Sequence, residues 1–258
     1  MGRRTGFEVP RPYVLAHRGA SGYAPENTFA AFDRAIEMGA PGAETDVRAT
    51  ADGALVLLHD RTLDRTTNGQ GPVAEHDLAR VQALDAGSWM DPRFAGERIP
   101  TAEAFLARYG GRLALTLEVM QPGIEATLVA LVRAHGLLAP QPRPPARPGL
   151  VALPAIVFSS TRAESLLAVK AVAPEAVLAL NGPDFDDAAL DAAAAAGFAQ
   201  VCPHGINCTP RRVAAARARG LSVRASGVLT REALRSALDA GVDGMTCNWP
   251  DWVVAPPA

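Results

Sequence analysis

Glu44 and Asp46 stand two residues apart in GAETDV, a short apolar run that reads as a β-strand, so both side chains project to one face. Glu118 ends a second such run, ALTLE. Placing carboxylates there without a ligand is expensive. Three oxygen donors and no thiolate suit a hard divalent cation, Mg²⁺ or Ca²⁺, with Mn²⁺ as a third choice. The spacing alone is equally compatible with three solvated acids at strand ends. His17 and Arg18 close the run VLAHR, and His59 closes LVLLH. Two histidines can divide acid and base roles near neutral pH, and the forked guanidinium of Arg18 suits a phosphate. Either histidine taken alone reads more readily as a hydrogen-bonded structural residue. Their pairing is what points to proton transfer.

The elements that must position these groups follow from an alternation running almost the whole chain. Short apolar runs at 13–16, 43–48, 113–118, 155–159, 176–180, 200–202, 222–225 and 244–247 read as strands, and helical spacing occupies 28–38, 162–172, 187–196, 210–219 and 231–240. Gly39, Gly197, Gly220 and Gly241 fall where a helix-ending residue belongs. The expected fold class is α/β, a (β/α)8 TIM barrel, which takes about 250 residues. An open doubly wound sheet is the alternative that alternation leaves. In a barrel, every residue singled out above lies at the C-terminal end of a strand, where active sites of this fold are built.

Two stretches interrupt the repeat. An extra strand at 55–59 follows 43–48 across Asp52-Gly53, a two-residue hairpin signal. Symmetric pairing about that loop sets Ala51 opposite Ala54 and Asp46 opposite His59. Residues 60–100 are rich in turn formers and read as an insertion at the barrel mouth that could help cover a site. Residues 139–150 are Pro-rich and read as an exposed loop.

Chain-wide properties narrow the function classes. The 258 residues, 48% of them hydrophobic, suit a single domain over 1–258. A formal net charge of -2 gives no reason to expect a nucleic-acid or anionic-membrane surface. No stretch reads as a signal peptide or a membrane span, so stable membrane insertion is not expected. Three cysteines suit a reducing compartment, and the expected location is cytoplasmic. Oligomeric state is not legible. Cys202, His204 and Cys208 lie close in sequence, but no fourth zinc ligand is nearby, and buried thiols are the preferred reading.

The segment HRGASGYAPENTFAAFDRAIEMGAPGAETDVRATADGALVLLHDRTLDRTTNGQGPV resembles the N-terminal signature of glycerophosphodiester phosphodiesterases. LDAGSWMDPRFAGERIPTAEAFL resembles their insertion, and the likeness continues through LTLEV, IVFSS and GVDGMTCNWPD. The resemblance implies metal-dependent hydrolysis of glycerophosphodiesters to glycerol 3-phosphate and an alcohol. Attack by the neighbouring glycerol hydroxyl would give a cyclic phosphate that water opens. By that resemblance Glu44, Asp46 and Glu118 match the metal ligands, His17 and His59 the acid/base pair, and Arg18 the phosphate-binding arginine. Asn27 and Asp60 match positions that orient the catalytic groups.

The chain also departs from the family pattern. Met120 stands where members usually carry lysine, Ser226 where many carry tryptophan, and Cys247-Asn248 where Thr-Asp is commoner. The first change bears on rate or substrate, and the other two on the alcohol pocket. Trp89, in the insertion, either walls that pocket or packs into its own loop. The alternative function is a phosphoester-binding barrel whose turnover is weakened by Met120.

Overall fold

The computed structural model describes residues 5–143, 145 and 147–254. Parts of the 1–258 and 139–150 ranges, including Pro144 and Ala146, therefore lie outside the described residues. In chain order the elements are β1 (Gly6–Pro10), β2 (Tyr13–His17), α1 (Phe29–Glu37), β3 (Gly42–Ala49), β4 (Leu55–Leu57), α2 (Leu78–Ala83), α3 (Ala102–Tyr109), β5 (Ala114–Val119) and α4 (Glu125–Ala134). They continue with β6 (Leu150–Pro154), β7 (Ile156–Ser160), α5 (Ala163–Val172), β8 (Leu178–Asn181), α6 (Asp187–Ala195), β9 (Gln200–Cys202), α7 (Pro210–Ala218), β10 (Ser222–Val228), α8 (Arg231–Ala240) and β11 (Gly244–Cys247).

Strands β2, β3, β5, β7, β8, β9, β10 and β11 pair in parallel in that order, and β11 pairs with β2, which closes the (β/α)8 barrel. All eight expected strands are present. Period-two alternation divides their side chains between two cores. Ala43 and Val47 of β3 join Phe32 of α1 and Phe105 of α3 in the layer between sheet and helices. The strand ends that carry function face helix N-termini capped by Thr28, Thr101, Asp186, Thr209 and Thr230, each accepting a backbone N–H in the first turn. At the far end of α8, Gly241 takes the left-handed conformation expected of it (φ 69°).

The opposite end of the barrel is filled. Tyr13 Oη accepts from Gln200 Nε2 at 2.9 Å, and a Cβ on Gly244 would come within 2.4 Å of the tyrosine ring. Strands β1 and β6 pair antiparallel and bring Val9 and Leu153 against Tyr13, Leu15 and Ala114. The sequence reading did not anticipate this ribbon, and it ends the Pro-rich loop at Leu150.

The β3–β4 hairpin corrects one expectation. Val47 pairs with Leu57 and Arg48 with Val56, and Leu58 N donates to Asp46 O, so Asp46 faces Leu58 and not His59. The loop holds three residues, not two. Thr50 N donates to Ala54 O, and Gly53, at φ 81°, makes the left-handed step of a three-residue turn. One added loop residue shifts the whole register by one. The extra strand also stops at Leu57, so His59 lies beyond it. The insertion after β4 carries its own buried cluster, including Leu58, Leu63, Val73, Val81, Leu84 and Ile99, beneath mostly irregular backbone.

Candidate active site

Parallel register assembles the acids. Asp46 is the Cα partner of Glu118 on β5, and His17 on β2 is the partner of Glu44. One carboxylate oxygen from each of Glu44, Asp46 and Glu118 lies within 4.8 Å of the others, and no other such group of potential metal ligands occurs among the described residues. At an effective dielectric constant near 20, each like-charged pair at that separation repels by about 3 kcal/mol. Burial, then the charges of Asp46 and Glu118, drives the Glu44 carboxyl well above its usual range. Burial and Asp46 raise Glu118 in the same way. Glu44 Oε1 is buried with no hydrogen-bond partner. A buried, unpartnered oxygen on one of three clustered hard donors fits a divalent cation better than three solvated acids.

Arg18 and Asn27 frame this cluster in an uncommon backbone state. Both have positive φ, 56° and 58°, and Asn27 N donates to Arg18 O at 2.9 Å. Non-glycine residues tolerate that state only where surrounding contacts over-determine it. Asn27 Nδ2 donates to Asp46 Oδ2 at 2.9 Å, and Thr45 Oγ1 donates to Asn27 Oδ1 at 2.7 Å. Asn27 thereby aims one of the acids. Arg18 Nε lies 3.1 Å from Asp46 Oδ2, Nη1 donates to Glu26 Oε1 at 2.9 Å, and its backbone N–H reaches Glu44.

His17 sits beside Glu44, with Nε2 3.9 Å from Oε2, and its Nδ1 donates to Asn248 Oδ1 at 2.6 Å. With the proton on Nδ1, the Nε2 lone pair is left on the Glu44 side. Burial, reinforced by the Arg18 charge, lowers the His17 imidazole to about 4, so it is neutral at pH 7. Sequence reasoning assigned Asn248 to the alcohol pocket, whereas it orients this histidine.

His59 is held by different means. Its Nδ1 lies 2.7 Å from Asp60 Oδ1, and its carbonyl accepts from Arg48 Nε and Nη2 at 2.9 and 2.6 Å. Its ring is more than a third exposed. Met120 lies beside Arg48 at the mouth, its carbonyl 3.5 Å from Arg48 Nη1. Trp89 is exposed, and its Nε1 donates to Ala86 O within its own loop. Ser226 Oγ donates to the Cys202 and Pro203 carbonyls. Cys202 and Cys208 are buried, as expected of them.

One residue deep in the barrel went unread. Arg224 on β10 is 2% exposed, donates from Nε to Gln200 and from Nη1 to Thr246, and leaves Nη2 unpartnered. Its charge opposes the raised pKa of both Glu44 and Glu118. The available signal was a lone charge within the apolar run at 222–225.

The chain matches the Glycerophosphoryl diester phosphodiesterase family model over residues 17–252. It is 34% identical to a glycerophosphodiester phosphodiesterase of Caldanaerobacter subterraneus subsp. tengcongensis, with 93% of this chain and 96% of that one covered. A 117-residue stretch is 55% identical to YhdW of Bacillus subtilis, and it spans 44% of this chain but only 48% of that relative. An Oleispira antarctica phosphodiesterase, solved with its product sn-glycerol-3-phosphate, superposes with a TM-score of 0.80 at 30% identity, covering 94% of this chain and 95% of that one.

Proposed function

The chain belongs to the glycerophosphoryl diester phosphodiesterase family of enzymes, and on that premise we propose that it hydrolyses glycerophosphodiesters to glycerol 3-phosphate and an alcohol with a divalent cation at Glu44, Asp46 and Glu118. The observation that carries this reading is the buried, unpartnered Glu44 Oε1 amid the three acids, with Arg18 and neutral His17 beside it. A hard cation bound there would supply electrostatic stabilisation to the phosphodiester oxygens. Mg²⁺ or Ca²⁺ fits the donor set, with Mn²⁺ as the third candidate.

The protein's own groups then have distinct tasks. Arg18, held by Glu26 and Asp46, presents its guanidinium to the phosphate. His17 takes the proton of the vicinal glycerol hydroxyl at Nε2 as that oxygen attacks phosphorus, a step favoured by the high effective molarity of a neighbouring group. His59, its Nδ1–H held by Asp60, delivers the Nε2 proton of its imidazolium form to the departing alkoxide and is left as the neutral Nδ1–H tautomer. Water opens the cyclic phosphate with these proton movements reversed. No helix among the described residues is long and apolar enough to cross a membrane.

The deciding assay offers glycerophosphocholine, glycerophosphoethanolamine and glycerophosphoglycerol to EDTA-treated protein, with each cation restored in turn, and measures glycerol 3-phosphate. Cation-dependent release is expected. Binding without release under every cation would make the chain the phosphoester-binding barrel that Met120 favours. Undiminished release in EDTA would remove the metal from the reaction.

A further inference from the structure

Arg65 lies in the insertion and has no part in the reading above, yet one guanidinium connects both sides of the proposed site. Its Nη1 and Nη2 donate to Glu26 Oε2 and Oε1 at 2.7 and 2.8 Å. Its Nε and Nη2 donate to Asp60 Oδ2 and Oδ1 at 2.7 and 3.1 Å. Glu26 is also the acceptor of Arg18 Nη1, and Asp60 is the partner of His59 Nδ1. The sequence Arg18, Glu26, Arg65, Asp60, His59 is therefore an unbroken chain of contacts at or below 3.1 Å between the phosphate-binding arginine and a proton-transferring histidine.

Two bidentate contacts on different edges of one planar group fix its orientation, which a lysine ammonium cannot do. The two acids respond accordingly. Asp60 is held well below the usual carboxylate range, chiefly by its Arg65 hydrogen bonds. Burial acts to raise Glu26, but Arg65 and Arg18 outweigh it and lower that carboxyl. Arg65 remains close to half-exposed, so removing it opens no buried void.

We propose that Arg65 is a positioning residue that sets Arg18 and His59 at one fixed separation, so that phosphate and leaving group are engaged together. The proposal rests on the roles assigned above to Arg18 and His59. A displacement of about 1 Å in a reacting group can cost roughly a hundredfold in rate, and that is the loss expected in kcat for Arg65→Met, with a smaller rise in KM through Arg18. Arg65→Lys keeps the charge and loses the fork, so it recovers less than about a tenth of the lost rate.

The test is a double-mutant cycle on the full chain, read as kcat and KM for the best substrate in the hydrolysis assay. In a His59→Ala background the kcat cost of Arg65→Met should fall below about threefold, because the contact it supports is already cut. An equal cost in both backgrounds, or full recovery by Arg65→Lys, overturns the proposal. If Arg65→Met does not fold, Arg65→Lys carries the same comparison. A readout independent of turnover is the His59 ring tautomer, followed by long-range ¹H–¹⁵N correlation. At alkaline pH, with the ring neutral, it should be a single Nδ1–H species in the unmodified protein and a mixture in the Arg65 variants. An unchanged tautomer overturns the positioning role, whereas absence of hydrolysis by the unmodified protein overturns the functional reading and leaves the tautomer experiment standing.

Discussion

The acidic cluster and the charge network beside it occupy one barrel mouth but are built in opposite ways. Glu44, Asp46 and Glu118 are fixed by β3 and β5, whose register sets their spacing before any side chain interacts. They are buried and alike in charge, and Glu44 and Glu118 shift towards the neutral form. Glu26, Asp60, Arg65 and His59 stand on loops, each with some solvent exposure, and are placed by contacts with one another. Their acids shift towards the charged form. Rigid strands can thus hold groups that repel, leaving the repulsion available for a cation, whereas loops must be held by groups that attract.

Three experiments test that contrast. The largest effect is expected for Glu44→Gln, which removes the carboxylate with the unpartnered oxygen. Divalent-cation binding measured by calorimetry should weaken by at least about a hundredfold, the upper range for loss of even an indirect ligand support. Binding within a few fold of the unmodified protein would show that the cluster is not the cation site. Next in size is His59→Ala, for which kcat should drop about a hundredfold or more, in the range of general acid–base contributions. KM should change little, and cation affinity not at all, since His59 belongs to the network and not to the cluster. A matched loss of cation affinity would erase the distinction between the two regions.

The smallest effect is thermodynamic and opposite in sign for the two regions. Glu44 and Glu118 have folded-state values above the ordinary 4.5, so the metal-free fold binds more protons there than the unfolded chain does. Their contribution is present below that value and is lost as pH rises through the raised folded values. Glu26 and Asp60 are lowered, so their contribution is present above the ordinary carboxylate range and is lost as pH falls towards their folded values. Thermal melts in EDTA should therefore show Tm declining on both sides of a mildly acidic maximum. Saturating Mg²⁺ should remove the decline on the alkaline side only. If Mg²⁺ instead restores the acid side, the assignment of the two trends is reversed.

Much of the cluster was legible because strand periodicity is local. The i, i+2 spacing of Glu44 and Asp46 places both on one face whatever the rest of the chain does. The placement of His59 was legible only in part. The Asp52-Gly53 signal marked a hairpin, but Ala51 joins the loop, and the resulting register sets Leu58 opposite Asp46. Turn residues alone do not settle between two-residue and three-residue loops. Arg224, Glu26 and Arg65 were overlooked, and Asn248 was given to the alcohol pocket, for a related reason. Each acts through a partner 24 to 231 residues away or, for Arg65 and Asp60, across an irregular loop, and neither case leaves a periodic trace.

By itself the amino-acid order determined the alternating strands and helices, the strand ends that bear the three acids and His17, and the family to which the chain belongs. Those properties reside in spacings of two to four residues and in contiguous motifs, where the chain is its own template. Only the tertiary structure decided that Glu118 lies beside Asp46, that Asn248 orients His17, that Arg224 faces the acids from within the barrel, and that Arg65 connects Arg18 to His59. Barrel closure and loop length set those meetings, and a single added loop residue is enough to change them.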